Sequence, residues 1–215
     1  MRTRGLVRRW AGLAALALLT ACSDGDVVVG AGSAGPVTDP VGADPAEFGP
    51  LPEFHLVSEH GVEVTRESLL GRPVVIAALF STCSGPCPSI ARSLKSLQDS
   101  LRDTDVLLVA VSVDPEHDTP EVLARYAERQ GADPARWIFL TGAEAEVYTL
   151  VQRGFFLAVE RGAADSPEGQ RVTHDTRLLA LDRAGRRRGW YVGTDAAAVQ
   201  KLEARMRALA AEPRR

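Results

Sequence analysis

The feature that most constrains this chain is a pair of cysteines placed just after a buried strand. The apolar run 74–80 (VVIAALF) is followed closely by CSGPCP at 83–88. An uninterrupted apolar run of this length is typical of a strand buried on both faces, and Pro88 suits the first turn of a helix. A dithiol between a strand and the next helix is the thioredoxin-like arrangement, although three residues rather than two separate these cysteines.

Strands and helices alternate through the rest of the chain from residue 51. Apolar runs predict strands at 106–113, 137–140, 178–181 and 190–192, and helical spacing predicts helices over 88–101, 119–130, 143–152 and a last one carrying Val199, Leu202, Met206 and Leu209. Two short apolar segments around Glu59-His60-Gly61 predict a β-hairpin at the start. We therefore expect an α/β, thioredoxin-like fold with a central mixed β-sheet flanked by helices and an N-terminal β-hairpin.

The N-terminus has the pattern of a targeting segment. Arginines at 2, 4, 8 and 9 precede a short apolar core at 11–19, followed by LTAC at 19–22. This core is too short to span a membrane, and the segment resembles a bacterial lipoprotein signal in which Cys22 becomes the lipidated first residue. The alternative is a plain secretory signal with an unrelated cysteine. We expect a signal peptide at 1–21, a flexible Gly/Pro/Ala tether at 22–50 and a folded domain at 51–215.

These expectations place the domain in the bacterial cell envelope, lipid-anchored to a membrane and facing the periplasm or extracytoplasmic space. The compartment is therefore oxidising, and Cys83 and Cys87 are the cysteines left beside the lipidated one. A disulfide across so short a loop would stabilise the fold little, which favours a chemical role for the pair. The formal net charge of −3, without a basic stripe, excludes a typical nucleic-acid binder.

The dithiol sits where sulfur chemistry is favoured. Unpaired N–H groups and the dipole at a helix N-terminus stabilise negative charge, so we expect both sulfurs to ionise more readily than a free cysteine. The loop places the two sulfurs near each other for a disulfide or for joint capture of a soft ion. Thiolates favour copper(I), and an added imidazole makes copper(II) accessible too.

The chain has four histidines that are candidates for that imidazole. His55 and His60 flank the hairpin turn, where a surface position is expected, and His117 lies in a polar loop. His174 lies between an exposed Gly-, Ser- and Pro-containing loop at 161–170 and the strand at 178–181, a position that can reach the same sheet edge as the dithiol. Spacing alone leaves the choice of ligand open.

Ordered sequence blocks resemble the Sco/SenC family of copper proteins, which have a thioredoxin-like fold. The segment FSTCSGPCP at 80–88 is similar to the family's F-T-x-C-P-x-x-C-P, and VSVDPEHDTP at 111–120 is similar to its S-V-D-P-x-x-D-T-P. WIFLTG at 137–142, and then His174 before LLALD at 178–182, match later blocks in the same order. The resemblance covers about residues 51–210.

The resemblance implies that Cys83, Cys87 and His174 bind one copper ion, as Cu(I) or Cu(II). It also implies a metallochaperone rather than an enzyme, which delivers copper to the binuclear copper site of cytochrome c oxidase. Asp114 matches a family aspartate near the metal loop, where it orients a ligand and balances charge or, alternatively, only shapes a turn. The expected partners are the copper-site subunit of the oxidase, another copper chaperone and the lipid membrane through Cys22. A membrane-side thiol reductase is a further partner, because an oxidising compartment drives the dithiol towards a disulfide.

Other functions stay open at this point. A thiol–disulfide oxidoreductase would use Cys83 and Cys87 to reduce the cysteines of the oxidase copper site, without needing His174. A copper- or redox-sensing role is a further alternative, whereas a peroxidase lacks its single-cysteine signature. Two departures from the family pattern bear on the site. Ser84 replaces the usual proline and precedes Gly85, which predicts a more flexible loop, and Asp175 stands where a small hydroxyl residue is more usual.

Overall fold

The computed structural model describes residues 51–163, 165–167 and 169–213 of the chain. The predicted signal peptide, the lipidated Cys22 and the tether lie outside these residues, so all of them stay predictions. Among the described residues, no helix has the length and apolar character needed to cross a membrane.

Nine strands and four α-helices make up the described residues. The strands are β1 His55–Ser58, β2 Glu63–Thr65, β3 Val74–Leu79, β4 Leu107–Ser112, β5 Trp137–Thr141, β6 Val159–Arg161, β7 Val172–His174, β8 Arg177–Leu181 and β9 Arg187–Val192. The helices are α1 Cys87–Ser100, α2 Pro120–Gln130, α3 Glu144–Thr149 and α4 Ala196–Ala211. A 3-10 turn at Glu67–Leu69 and a π-helical segment at Leu150–Gly154 complete the list.

Seven of these strands form one mixed sheet in the order β2-β1-β5-β4-β3-β8-β9. The central strand β4 pairs parallel with β3 and β5, and the pairs nearer the edges are antiparallel. Helix α1 packs on β3, α2 on β5 and α4 on β9. The predicted α/β class with a central mixed sheet flanked by helices is confirmed.

The burial of the central elements explains why the sequence predicts them. Every residue of β3 and β4 is buried, as expected for parallel strands covered on both faces. Helix α1 buries Ile90, Leu94 and Leu97, which recur at helical spacing on one face. Thr119 caps the start of α2, because its hydroxyl accepts the Val122 N–H, and the Asp195 carboxylate caps the start of α4 in the same way.

Three segments converge at one edge of this sheet. In the parallel pair of β3 and β4, Leu79 lies opposite Ser112, so the loops that follow the two strands start side by side. Strand β8 runs antiparallel to β3, which brings the beginning of β8 towards the carboxyl end of β3. The dithiol loop, the loop after β4 and the segment that carries His174 therefore meet.

The segment predicted as an exposed loop at 161–170 is bounded by two strands that the sequence did not indicate. Strands β6 and β7 form a separate two-stranded antiparallel sheet, in which His174 pairs with Val159. Each strand has only three residues, too few for an alternating pattern to be recognised. His174 therefore lies at the end of a strand that the sequence did not predict.

Candidate metal centre

The two cysteines occupy different environments at the start of α1. Cys87 is the first residue of the helix and is buried, whereas Cys83 lies half-buried in the preceding loop, and both are free thiols. The residue before the helix is Pro86, and no side chain caps it by hydrogen bonding.

His174 approaches the dithiol from the end of β7. Its Nε2 lies 3.0 Å from Sγ of Cys87, and its Nδ1 lies 2.8 Å from the backbone carbonyl oxygen of Asp175. A carbonyl oxygen only accepts hydrogen bonds, so Nδ1 is the donor in this contact. Nε2 is the ring atom that faces the sulfur of Cys87. The ring also makes an edge contact with Phe80, with ring centroids 5.8 Å apart.

These three side chains form a group suited to one metal ion. The sulfurs of Cys83 and Cys87 and a ring nitrogen of His174 all lie within 4.8 Å of one another. No other group of three or more His, Cys, Asp or Glu side chains in the described residues is close enough to share an ion. Two thiolates and an imidazole fit copper in both of its common oxidation states.

The two thiols differ in acidity in the metal-free protein. The hydrogen bond donated by Cys87 lowers the pKa of Cys83 to about 4, against the effect of burial. Hydrogen bonding to His174 and to the backbone N–H groups of Cys87 and Gly85 acts in the same direction as the Cys87 bond. The same bond raises the pKa of Cys87 above its usual range, and burial acts in the same direction. The prediction that both sulfurs ionise readily is therefore correct for Cys83 and wrong for Cys87, because only one of them can be the thiolate while the other is its donor.

This asymmetry predicts the pH dependence of thiol reactivity. Because the pKa of Cys83 is lowered to about 4, its thiolate persists as the pH falls from 8 to 5 and is lost only near pH 4. Alkylation by iodoacetamide at Cys83, located by peptide mass spectrometry, should change little over that interval, and Cys87 should react far more slowly. Alkylation of the urea-unfolded chain is the control, and its rate should fall about 10-fold per pH unit. A similar fall in the folded protein would contradict the assignment.

Asp114 is not a member of this group. It follows β4, is buried, and its N–H donates to the hydroxyl of Ser112 at 3.2 Å. Burial and the neighbouring Asp118 raise the pKa of its carboxyl group. A role in orienting a ligand stays a prediction.

Sequence reasoning did not single out Asp118, which anchors the start of the dithiol loop. This carboxylate is fully buried and accepts hydrogen bonds from the N–H of Ser81 at 3.0 Å, from the Ser81 hydroxyl, and from the Ser112 hydroxyl at 2.5 Å. It therefore ties the loop after β3 to the loop after β4. The sequence feature that could have indicated this role is the position of Asp118 in the block VSVDPEHDTP. A carboxylate buried there needs hydrogen-bond donors.

The remaining polar residues considered from the sequence are not members of the ligand group. The Nδ1 atom of His55 lies 2.8 Å from Glu63, and His60 lies 3.8 Å from Glu59; both imidazoles are mostly exposed. His117 is half-buried in the loop after β4. The carboxylate of Asp175 pairs with Arg177, so it neither orients the His174 imidazole nor faces solvent. The backbone carbonyl oxygen of Asp175 is the group that contacts the ring.

A cavity of about 430 Å³ opens beside the ligands. The dithiol loop lines one side and the residues leading to His174 line the other. A larger cavity of about 780 Å³ is lined by Asp182, Arg183, Arg186 and Arg188, where Asp182 pairs with Arg186 and Arg188. The larger cavity offers no cysteine or histidine among its described lining residues, so the smaller one is the functional candidate.

The chain is similar to known proteins in both sequence and structure. The sequence model of the SCO1/SenC family matches residues 44–210. The chain is 29% identical over 147 residues to the SCO1 protein homolog of Bacillus subtilis, covering 66% of this chain and 73% of that protein. It resembles the crystal structure of a SCO1/SenC family lipoprotein from Bacillus anthracis, with a TM-score of 0.68, 26% identity and coverage of 75% and 95%. It also shares its fold with Bradyrhizobium japonicum ScoI with copper bound, with a TM-score of 0.62, 23% identity and coverage of 74% and 98%.

Proposed function

This chain belongs to the SCO1/SenC family, and on that premise we propose that it is a membrane-tethered copper chaperone. It binds one copper ion through Cys83, Cys87 and His174 and delivers it to the binuclear copper site of cytochrome c oxidase. The observation that carries the proposal is the convergence of these ligand atoms within 4.8 Å. The copper-bound state of the Bradyrhizobium relative supports the choice of metal.

The position of the ligands suits transfer as well as binding. Cys83 and His174 are half-buried at a sheet edge and border an open cavity, whereas Cys87 is buried. A receiving thiolate can therefore approach the ion from the side of Cys83 and His174 and displace these ligands one at a time. The proposal includes the lipid anchor at Cys22, the tether at 22–50 and an extracytoplasmic location, which together would hold the domain near membrane-bound partners.

Copper capture requires the dithiol to be reduced. Formation of the Cys83–Cys87 disulfide removes two electrons and two protons, and the resulting sulfurs no longer bind copper as thiolates. A membrane-side thiol reductase restores both thiols by forming a disulfide of its own. Another copper chaperone then supplies the ion.

One observation favours a second candidate, a thiol–disulfide oxidoreductase acting on the oxidase cysteines. The accessible Cys83 has a lowered pKa and the buried Cys87 keeps its proton, which is the division between an attacking thiolate and a resolving thiol. In that reaction Cys83 attacks the target disulfide and releases one target thiolate. Cys87 then attacks Cys83, releases the second target thiolate and leaves the disulfide on this chain.

Mixing the protein with the copper-site domain of the oxidase distinguishes the two functions. The chaperone predicts that the Cu(I)-loaded protein metallates a domain whose cysteines are already reduced, and that transfer is lost when Cys83 and Cys87 are both replaced by serine. The oxidoreductase predicts that the metal-free protein reduces an oxidised domain while no copper moves from the loaded protein. Copper spectra of the domain and mass spectrometry of its alkylated thiols measure the two outcomes.

A further inference from the structure

Ser84, which follows the first cysteine, is hydrogen-bonded to Gly169, a residue far along the chain. Both the backbone N–H and the hydroxyl of Ser84 donate to the carbonyl oxygen of Gly169, each at 3.3 Å. A single carbonyl oxygen with two lone pairs can accept both bonds. The loop that was expected to be flexible because of Ser84 and Gly85 is thus attached to the connection between β6 and β7.

The contact is close enough to require glycine at position 169. Its φ is +84°, a conformation that side chains disfavour. A Cβ atom there would lie 2.5 Å from the carbonyl oxygen of Thr82 and 3.2 Å from the nitrogen of Ser84. Any side chain would therefore push the two backbones apart and break both bonds.

Gly169 lies on the segment that positions the histidine ligand. Strand β7 begins at Val172 and ends at His174, and it pairs only with β6, outside the seven-stranded sheet. On its far side, the N–H of Asp175 donates to Ala158 at 2.8 Å, and the Asp175 carboxylate pairs with Arg177. The strand that carries His174 is therefore held at both ends, by Gly169 before it and by Asp175 after it.

The attachment at Ser84 needs groups that the proline usual in the family pattern does not have. The proline usual at this position has neither a backbone N–H nor a hydroxyl. A relative with proline there cannot form either bond to the residue equivalent to Gly169.

We propose that Ser84 is a positioning residue of the metal site, which acts on His174 through Gly169. By fastening the segment before β7, it keeps the imidazole within reach of both sulfurs before metal arrives and slows the loss of bound copper. Ordering a ligand in advance lowers the entropic cost of binding. This inference rests on the proposed copper binding by Cys83, Cys87 and His174.

The first test needs no metal. In the reduced, metal-free full chain, the Gly169→Ala variant should exchange the Ser84 amide hydrogen at least about 10-fold faster than the wild type, because its acceptor is displaced. The NMR signals of the His174 ring should shift in this variant and in Ser84→Pro. Gly61→Ala is the matched control, since Gly61 also has a positive φ, +74°, but a Cβ there meets nothing within 4 Å. Unchanged Ser84 exchange and unchanged His174 signals in Gly169→Ala would overturn the inference.

The second test measures copper loss to an excess of chelator. Ser84→Pro and Gly169→Ala should release copper about 10-fold faster than the wild type, and Ser84→Thr, which keeps both donors, should release it at the wild-type rate. Ser100→Ala removes a similar hydroxyl–carbonyl bond of 3.3 Å at the far end of α1 and should have no effect. Equal release rates for Ser84→Pro and wild type would overturn the inference. Failure of the wild type to bind copper would instead refute the proposed function, and the metal-free exchange would still decide the role of Ser84.

Discussion

Replacing His174 by alanine is expected to lower the affinity for copper(II) at least about 100-fold, since loss of a supporting group alone costs 10- to 100-fold at metal sites. The imidazole is the one nitrogen ligand in the group, and copper(II) prefers nitrogen ligands more strongly than copper(I) does. Copper(I) should therefore still bind to the two thiolates. Anaerobic titration of the reduced variant, followed by the thiolate-to-copper(II) absorption, measures the effect.

The matched control is His60→Ala. His60 is exposed, lies beside Glu59 and is not part of the ligand group, so its loss should leave the titration unchanged. A His174→Ala protein that folds normally and binds copper(II) as tightly as the wild type would contradict the assignment of the third ligand. The same variant separates the two candidate functions, because disulfide reduction by Cys83 and Cys87 does not need the imidazole.

Replacing Asp118 by asparagine is expected to lower the free energy of unfolding by about 3 kcal/mol, because a neutral amide replaces the buried charged acceptor of three hydrogen bonds. The carboxylate accepts bonds from the N–H and hydroxyl of Ser81 and from the hydroxyl of Ser112. An amide has one acceptor oxygen, and its NH₂ group would face one of these donors. Urea unfolding of the reduced, metal-free protein measures the change.

Asp99→Asn provides the comparison for this prediction. Asp99 lies on the surface of α1, where it pairs with Lys95, and exposed pairs contribute little to stability. Its unfolding midpoint should match that of the wild type. If Asp118→Asn were equally stable, the buried carboxylate would not be the anchor of the dithiol loop.

Much of the fold could be predicted because its central elements carry strong local patterns. Strand β3 was visible as an apolar run and α2 as a Thr119-Pro120 start followed by helical spacing. Strands β6 and β7 could not be recognised, because their pairing depends on contacts between segments and not on periodicity. The position of His174 in a strand was missed for the same reason.

The three candidate ligands could be predicted from the sequence, but the unequal acidity of the two thiols could not. Cys87 and His174 are 87 positions apart, and the family resemblance, not spacing, selected this histidine. The dithiol motif indicated acidic thiols, but the burial of Cys87 and its bond to Cys83 depend on the folded chain. The anchoring role of Asp118 and the attachment of Ser84 to Gly169 likewise arise from loops that only the fold brings together.

The most direct test of the central claim is X-ray absorption spectroscopy of the reduced protein loaded with one equivalent of copper(II) under anaerobic conditions. The account predicts two sulfur scatterers and the pattern of one imidazole, with the imidazole pattern absent from the His174→Ala protein. A copper environment of oxygen and nitrogen ligands alone, or an imidazole signal that persists without His174, would contradict it.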